Sequence, residues 1–228
     1  MSAPSSAGKL PPDADAGLRP DDLSDPAMLL LTQEQLEVLA AAGLELLADA
    51  PAAGEFEVRV WYRLSERRLF LRLWSAEQQL HGAAYLWWHA THNEVDYQHL
   101  ELDDWVDCPA PKTQGAMSMC RVHPPEGHDW APTLAKLEQH QLWTAPDIQQ
   151  LEGTQLGEEV FEVLLVELRD GERLRRYHYR DIEEDLRPEA QVALELVQAT
   201  KAAFFELEWD YDEASGEPLK ARRPAPQP

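Results

Sequence analysis

The sequence predicts an α+β fold, in which antiparallel β-hairpins form a sheet and helices pack mainly on one face of it. Three observations lead to this prediction. Phe56–Leu64 alternates apolar and charged residues with the period of a strand, and the alternation resumes over Leu69–Leu73. The dipeptide Asp170-Gly171 separates a second pair of strand-like segments. Helical periodicity precedes the first pair and follows the second.

The first helix is predicted from Thr32, which stands at capping-box distance from Gln35. Apolar residues then recur at helical intervals over Leu36–Leu47. Pro51 and Gly54 are expected to end this helix, because neither residue is accommodated well in a helix interior.

The first hairpin is expected to have one face towards the core and one face towards solvent. Trp61 and Trp74 fall on the charged face, beside Arg72. Because tryptophan and arginine are enriched in binding hot spots, these residues are candidates for a partner-binding surface, together with the acidic pair Asp103 and Asp104. The alternative is that a helix covers this face and makes the tryptophans part of the core.

The middle of the chain gives a less uniform pattern. Ala83–Trp88 is typical of a buried strand or a helix, and Val95–Leu102 alternates like a strand. Residues 103–131 are rich in Pro, Gly and Asp, which indicates a long loop that includes a short strand at Met117–Val122. A short helix is predicted over Pro132–Leu142.

The last third of the chain predicts an interior strand, its hairpin partner and a helix. Val160–Arg169 is almost continuously apolar, Leu174–Arg180 returns from the turn, and Pro188 begins the final helix. The tripeptide at Phe56–Val58 recurs at Phe161–Val163, which leaves open an internal α-β-β duplication or a coincidence between two amphipathic hairpins.

Composition sets the domain boundaries. Residues 1–26 and 213–228 are rich in Pro, Ala and polar residues without an apolar period, so both are expected to be disordered. Residues 27–212 are expected to form a single domain, with 27–122 and 130–212 as its halves if it is divided. The chain has no run of apolar residues long enough for a transmembrane helix and no secretory signal, which predicts a cytoplasmic protein.

Histidines and cysteines supply the main candidate metal ligands, with Glu94 and Asp96 between the histidines, but their spacing matches no standard motif. We therefore predict neither a metal nor a cofactor, and we expect the cysteines to be ordinary thiols. No P-loop, nucleophile elbow or dinucleotide motif is present, so catalysis is neither indicated nor excluded. The candidate ligands would be His89, His92, His99, Cys108, Cys120, His123 and His128.

A basic cluster accompanies aromatic residues on the second hairpin. Arginine beside aromatic residues is typical of phosphate or RNA binding, whereas nearby glutamates favour cross-strand ion pairs. We favour the ion pairs. The cluster consists of Arg169, Arg173, Arg175, Arg176, Arg180, Tyr177, His178 and Tyr179.

The C-terminal part resembles a group of uncharacterised bacterial proteins. The resemblance lies in Leu142–Asp147, Val166–Gly171, Tyr177–Tyr179 and the helix that begins Pro188-Glu189-Ala190. It covers about the last ninety residues and implies no activity.

Charge gives the strongest indication of function. The 228 residues include 42 Asp and Glu against 20 Lys and Arg, a formal net charge of −22. This charge argues against direct binding of nucleic acid or an anionic membrane. We predict a non-enzymatic acidic protein that binds a basic protein partner, such as an immunity protein that neutralises a toxin, or a nucleic-acid mimic. The alternatives are a metal-dependent enzyme that uses the segment His89–His99 and a chaperone-like protein.

Overall fold

The computed structural model confirms an α+β architecture built on one large antiparallel sheet. It describes residues 10, 26–49, 55–64, 67–89, 106–107, 117–124, 127–147, 162–180, 187–204, 208–211 and 218–222. In chain order the elements are α1 (Pro26–Ala42), β1 (Phe56–Leu64), β2 (Arg67–Ala76), β3 (Gln79–His89), β4 (Val106–Asp107), β5 (Met117–Val122), α2 (Ala131–Gln139), β6 (Glu162–Asp170), β7 (Arg173–Arg180), α3 (Pro188–Ala202), β8 (Glu208–Tyr211) and β9 (Pro218–Arg222).

Seven strands form the main sheet in the order β4-β5-β3-β2-β1-β6-β7, and β8 pairs with β9 separately. The expectation of a disordered tail over 213–228 is therefore wrong at Pro218–Arg222, because this segment gains backbone hydrogen bonds by pairing with β8. All pairs are antiparallel. The two predicted hairpins, β1-β2 and β6-β7, lie side by side because β1 pairs with β6. The predicted strand at Met117–Val122 is confirmed as β5. Ala83–Trp88, which the sequence pattern assigns to either a strand or a helix, belongs to the strand β3. The predicted strand at Val95–Leu102 lies outside the described residues.

Two of the three helices in the described part of the chain cover one face of the sheet, which we call the α2/α3 face. Its side chains are almost entirely apolar, and they pack against Leu137 of α2 and Leu196 of α3. Tyr177 also lies here, where its hydroxyl donates to the carbonyl of Leu142 at 2.7 Å. Burial raises the pKa of Tyr177, so the hydroxyl stays protonated and remains a donor. The sheet residues of this face include Val58, Val60, Leu71, Leu73, Leu164, Val166 and Leu168.

The remaining helix, α1, covers the opposite face, which we call the α1 face. Val38 and Leu39 of α1 pack against Trp61, Phe70 and the aromatic residues of β3. The expectation that the first hairpin has a face towards solvent is therefore wrong. The physical reason is that this face carries large aromatic side chains between its charges, and burying them favours a covering helix.

Helix α1 begins earlier and ends earlier than the sequence predicts. It starts at Pro26, and it ends before Gly43, whose φ of +67° belongs to the left-handed region. The amides of Gly43 and Leu44 donate to the carbonyls of Ala40 and Leu39 at 3.2 and 2.8 Å. This pair of bonds is a Schellman motif, which stops the helix before the apolar residues that were expected to extend it.

The repeated tripeptide does not mark equivalent positions in the sheet. Val58 points to the α2/α3 face, whereas Val163 points to the α1 face. Neighbouring antiparallel strands that are related by a two-fold axis keep equivalent residues on the same face. The structure therefore favours a chance similarity of the two tripeptides over an internal duplication that would align Val58 with Val163.

Leu10 is packed on the domain although it lies in the segment expected to be disordered. Its side chain is 2% exposed and belongs to the core of the α2/α3 face. Its amide donates to Asp170 at 3.2 Å, and its carbonyl accepts from Arg173 at 2.6 Å. At this position the expectation of disorder is wrong, because one leucine and two backbone bonds anchor the chain without any apolar period.

Close packing at Gly82 gives a test of the α2/α3 face. The indole of Trp130 lies where a Cβ at position 82 would be. We expect Gly82→Ala to lower the free energy of unfolding by about 1–3 kcal/mol, the usual cost of overpacking, measured by urea denaturation. In a Trp130→Ala background the same change should stabilise the protein slightly, because alanine is favoured over glycine within a strand. An equal loss in both backgrounds would contradict the contact.

Candidate functional site

The α1 face is an alternation of charged and aromatic rows that run across the strands. Each row joins residues that are paired in register, so its members are direct neighbours. From one end of the strands to the other, the rows contain Arg68, Arg63, Val163 and Arg180; then Tyr85, Phe70, Trp61, Leu165 and His178; then Ala83, Arg72, Arg59, Glu167 and Arg176; and finally His81, Trp74, Glu57 and Arg169.

The aromatic row is a continuous stack. Trp61 and Phe70 are parallel with ring centroids 3.8 Å apart, Phe70 stacks on Tyr85 at 5.4 Å, and Trp87 meets Trp61 edge-on at 5.8 Å. The Trp61 indole N–H donates to the carboxylate of Glu167 at 2.8 Å. Trp61 is fully buried, so its nomination as an exposed anchor is wrong and the alternative of a covered core residue holds.

The carboxylate of Glu57 on this face accepts three short hydrogen bonds from arginines. It accepts from Arg59 at 2.8 Å and from two nitrogens of Arg72 at 2.7 and 3.1 Å. Burial alone would raise the pKa of Glu57, but the hydrogen bonds and charges of Arg72 and Arg59 outweigh it and hold that pKa below its ordinary value. Glu57 is therefore ionised and locks β1 to β2.

Buried and partly buried arginines tie irregular segments to the sheet through backbone carbonyls. Arg59 donates to the carbonyl of Glu45 at 2.7 Å, and Arg169 donates to that of Leu47. On the other face Arg175 donates to the carbonyl of Trp143 at 2.6 Å and to that of Ala145. In the second hairpin, Arg169 and Arg175 thus bind backbone carbonyls. The expectation of cross-strand ion pairs did not include these bonds.

Of the partner-binding candidates, Trp74 and Arg72 are partly exposed. The guanidinium of Arg72 lies 4.3 Å from the ring centre of Trp74, which in turn stacks on His81 at 5.5 Å. Arg72 is also engaged by Glu57, so it orients Trp74 rather than projecting freely. Asp103 and Asp104 lie outside the described residues.

The candidate metal ligands are not brought together in the part of the chain that is described, where no three His, Cys, Asp or Glu side chains converge. His89 ends β3, His123 is exposed after β5, and His128 packs edge-on against Trp130. Burial lowers the pKa of His128 in spite of the neighbouring Asp129 carboxylate, which opposes the shift. His92, His99 and Cys108 lie outside the described residues.

Cys120 is fully buried and disulfide-bonded. The expectation of an ordinary thiol is therefore wrong at this position. A sulfur held in a disulfide is not a thiolate ligand, so zinc at Cys120 would first require reduction.

No known protein family, curated protein or solved structure matches this chain. Among the helices described here, none combines the length and the apolar character that crossing a bilayer requires.

Proposed function

We propose that the chain is a non-enzymatic binding protein whose acidic surface engages a basic protein partner. One observation supports the proposal: in the described part of the chain most basic side chains are buried or partly buried, whereas many carboxylates are exposed. Among residues whose burial is described, the exposed basic side chains are Arg121 and Lys136. The exposed carboxylates are Glu37, Glu45, Asp49, Glu55, Glu77, Asp129, Glu172 and Glu195.

This distribution strengthens the effect of the net charge on a partner. Charges that are paired beneath α1 contribute little to the outer field, whereas exposed carboxylates attract a cationic surface. Complementary charge of this kind accelerates association and rejects acidic competitors more than it adds affinity. An immunity protein for a basic toxin is the most concrete form, and a nucleic-acid mimic is a second form of the same class.

Trp74 is the aromatic anchor that this proposal retains. Its ring contacts the guanidinium of Arg72 and stacks on His81, so it would lose little conformational freedom on binding. Rigid aromatic residues at a partly exposed position are typical of hot spots.

The test begins with capture of the partner from the native host and continues with kinetics on the purified pair. We expect a basic partner whose association slows steeply as salt is raised, with a smaller change in dissociation. Trp74→Ala should accelerate dissociation by about tenfold or more, as hot-spot truncations do.

Two charge reversals locate the binding face. Glu45→Lys lies just after α1, and Glu195→Lys lies on α3, so they make the same change of charge on opposite sides of the sheet. Both should slow association, and the one that lies nearer the partner should also accelerate dissociation. An acidic partner, or association that is independent of salt, would contradict the proposal; turnover of a small molecule that EDTA abolishes would favour a metal-dependent enzyme.

The expected cytoplasmic location belongs to the same proposal. It requires Cys120 to be reduced in the cell, because disulfides are rare in the cytosol and persist in oxidising compartments. Trapping of thiols at lysis, followed by mass spectrometry, distinguishes the cytoplasm from an oxidising compartment. A reduced Cys120 would support the cytoplasmic location, and an oxidised Cys120 would favour an oxidising compartment.

A further inference from the structure

The turn that joins β2 to β3 holds two consecutive residues other than glycine in the left-handed region. Glu77 and Gln78 have φ angles of +53° and +63°. Two-residue turns with positive φ at both positions favour Asn-Gly, because long side chains are strained in this conformation. Both side chains are exposed, so no buried contact accounts for this choice of residues. Backbone strain of this kind is typical of positions where function requires the particular side chains.

An aromatic pair lies at the base of this turn. Trp74 and His81 are direct partners across β2 and β3, and their rings stack with centroids 5.5 Å apart. Trp74 also lies 4.3 Å from the guanidinium of Arg72 and packs against the core of the α1 face, although part of its surface stays exposed. The side chains of the turn therefore extend from a base whose rings are already held in place.

The start of β1 and the turn between β6 and β7 lie at the same end of the sheet. The hydroxyl of Ser75 accepts from the amide of Glu55 at 2.8 Å, and the amide of Gly171 donates to the carbonyl of Glu55 at 2.9 Å. Among the residues described at this end, the carboxylates of Glu55, Glu77 and Glu172 are exposed. Three acidic side chains thus stand on segments that hydrogen bonds fasten to one another.

We propose that the β2–β3 turn (Glu77 and Gln78), together with Trp74, is the contact surface for a lysine- or arginine-bearing loop of the basic partner. This inference rests on the proposed function and assigns the place on the acidic surface at which the partner binds. The apolar stem of a lysine or arginine packs on Trp74, while its charged end reaches the carboxylate of Glu77. The amide of Gln78 can both donate to and accept from the backbone of the same loop.

A turn that is kept strained for binding responds to relief of the strain in two opposite ways. Replacement of its residues by Asn-Gly removes the strain, so the free protein becomes more stable. The same replacement removes the side chains that contact the partner, so binding becomes weaker. A turn with only a structural role would gain stability and lose no affinity.

The experiment compares the wild-type protein with the double variant Glu77→Asn/Gln78→Gly. The control is Glu37→Asn/Gln141→Gly, which makes the same exchanges at exposed positions elsewhere and also relieves a positive φ, that of Gln141 at +59°. Decalysine is the probe, and its affinity is measured by calorimetry at low and at physiological salt. We expect the turn variant to unfold about 2–4 °C higher than wild type, the shift that relief of roughly one strained residue gives in a domain of this size. It should bind decalysine about tenfold more weakly. The control loses the same charge and should bind almost as tightly as wild type.

Two-dimensional NMR of the wild-type protein locates the bound probe. The largest shift changes should fall on the amides of residues 77–79 and on the indole N–H of Trp74, whose signal is identified by its loss in Trp74→Phe. Three results would overturn the inference and leave the proposed function standing: equal loss of affinity in the control, a turn variant that is no more stable than wild type or binds as tightly, and shift changes confined to other surfaces. Failure of decalysine to bind the wild-type protein at low salt would contradict the proposed function together with this inference.

Discussion

Leu164→Asp is expected to abolish the folded state, whereas Leu165→Asp should retain part of it. Both side chains are fully buried in β6, but they point to opposite faces. On the α2/α3 face a carboxylate would lie between Tyr62 and Tyr179 in a mainly apolar core, and a buried unpaired charge costs several kcal/mol, comparable with the stability of a domain. On the α1 face it would lie across from His178, with arginines in the adjacent rows that can partly compensate it.

The measurement is cooperative unfolding in urea, followed by far-ultraviolet circular dichroism and by tryptophan fluorescence. Val163→Asp should resemble Leu165→Asp because Val163 shares its face. Leu36→Asp is the matched control, since Leu36 is 50% exposed and the same substitution should cost little there. Cooperative folding of Leu164→Asp with wild-type stability would show that β6 is not covered on both sides.

The second large effect is expected at Glu57. Glu57→Ala removes the carboxylate to which both Arg59 and Arg72 donate, which should cost about 3–5 kcal/mol in the free energy of unfolding. Glu55→Ala, two residues earlier and exposed, should cost little. Urea denaturation at neutral pH checks both variants, and similar losses in the two would contradict the ion-pair network.

The contribution of Glu57 should also depend on pH in a defined direction. Its pKa in the folded state is below the ordinary value of 4.5, so its charged form stabilises the fold above that pH. This stability is lost as the pH falls through the folded pKa. The difference in unfolding free energy between wild type and Glu57→Gln should therefore narrow in acid, and a difference that widened there would contradict the assignment.

Much of the sheet was predictable because its turns and alternation are local signals. The strands β1, β2, β5, β6 and β7 and the helices α2 and α3 appear where the sequence indicates them. The burial of the α1 face was not predictable in this way. Arginine and glutamate at alternate positions give the same hydropathy pattern whether the face is exposed to solvent or covered by a helix. Only the tryptophans Trp61 and Trp74 among those charges indicated that a helix covers this face.

Other features depend on contacts that no local pattern encodes. Leu10 is a single leucine in a polar segment, and its docking depends on Asp170 and Arg173 far along the chain. Glu34 appeared only as part of a capping-box segment, whereas its position between Arg63 and Arg68 follows from the placement of α1 on the sheet. The helix end at Gly43 could have been predicted, because glycine after a helical run is the usual Schellman signal.

The arginines that bind backbone carbonyls give this protein an unusual mutational freedom. Arg59, Arg169, Arg173 and Arg175 hold the connecting segments through main-chain oxygens, which every amino acid provides. The outward side chains of those segments can therefore be exchanged without loss of the anchors. A library randomised at Glu45 and Asp49, with the arginines kept, should yield folded members of diverse surface chemistry, so the same framework would serve as a scaffold for new recognition specificities.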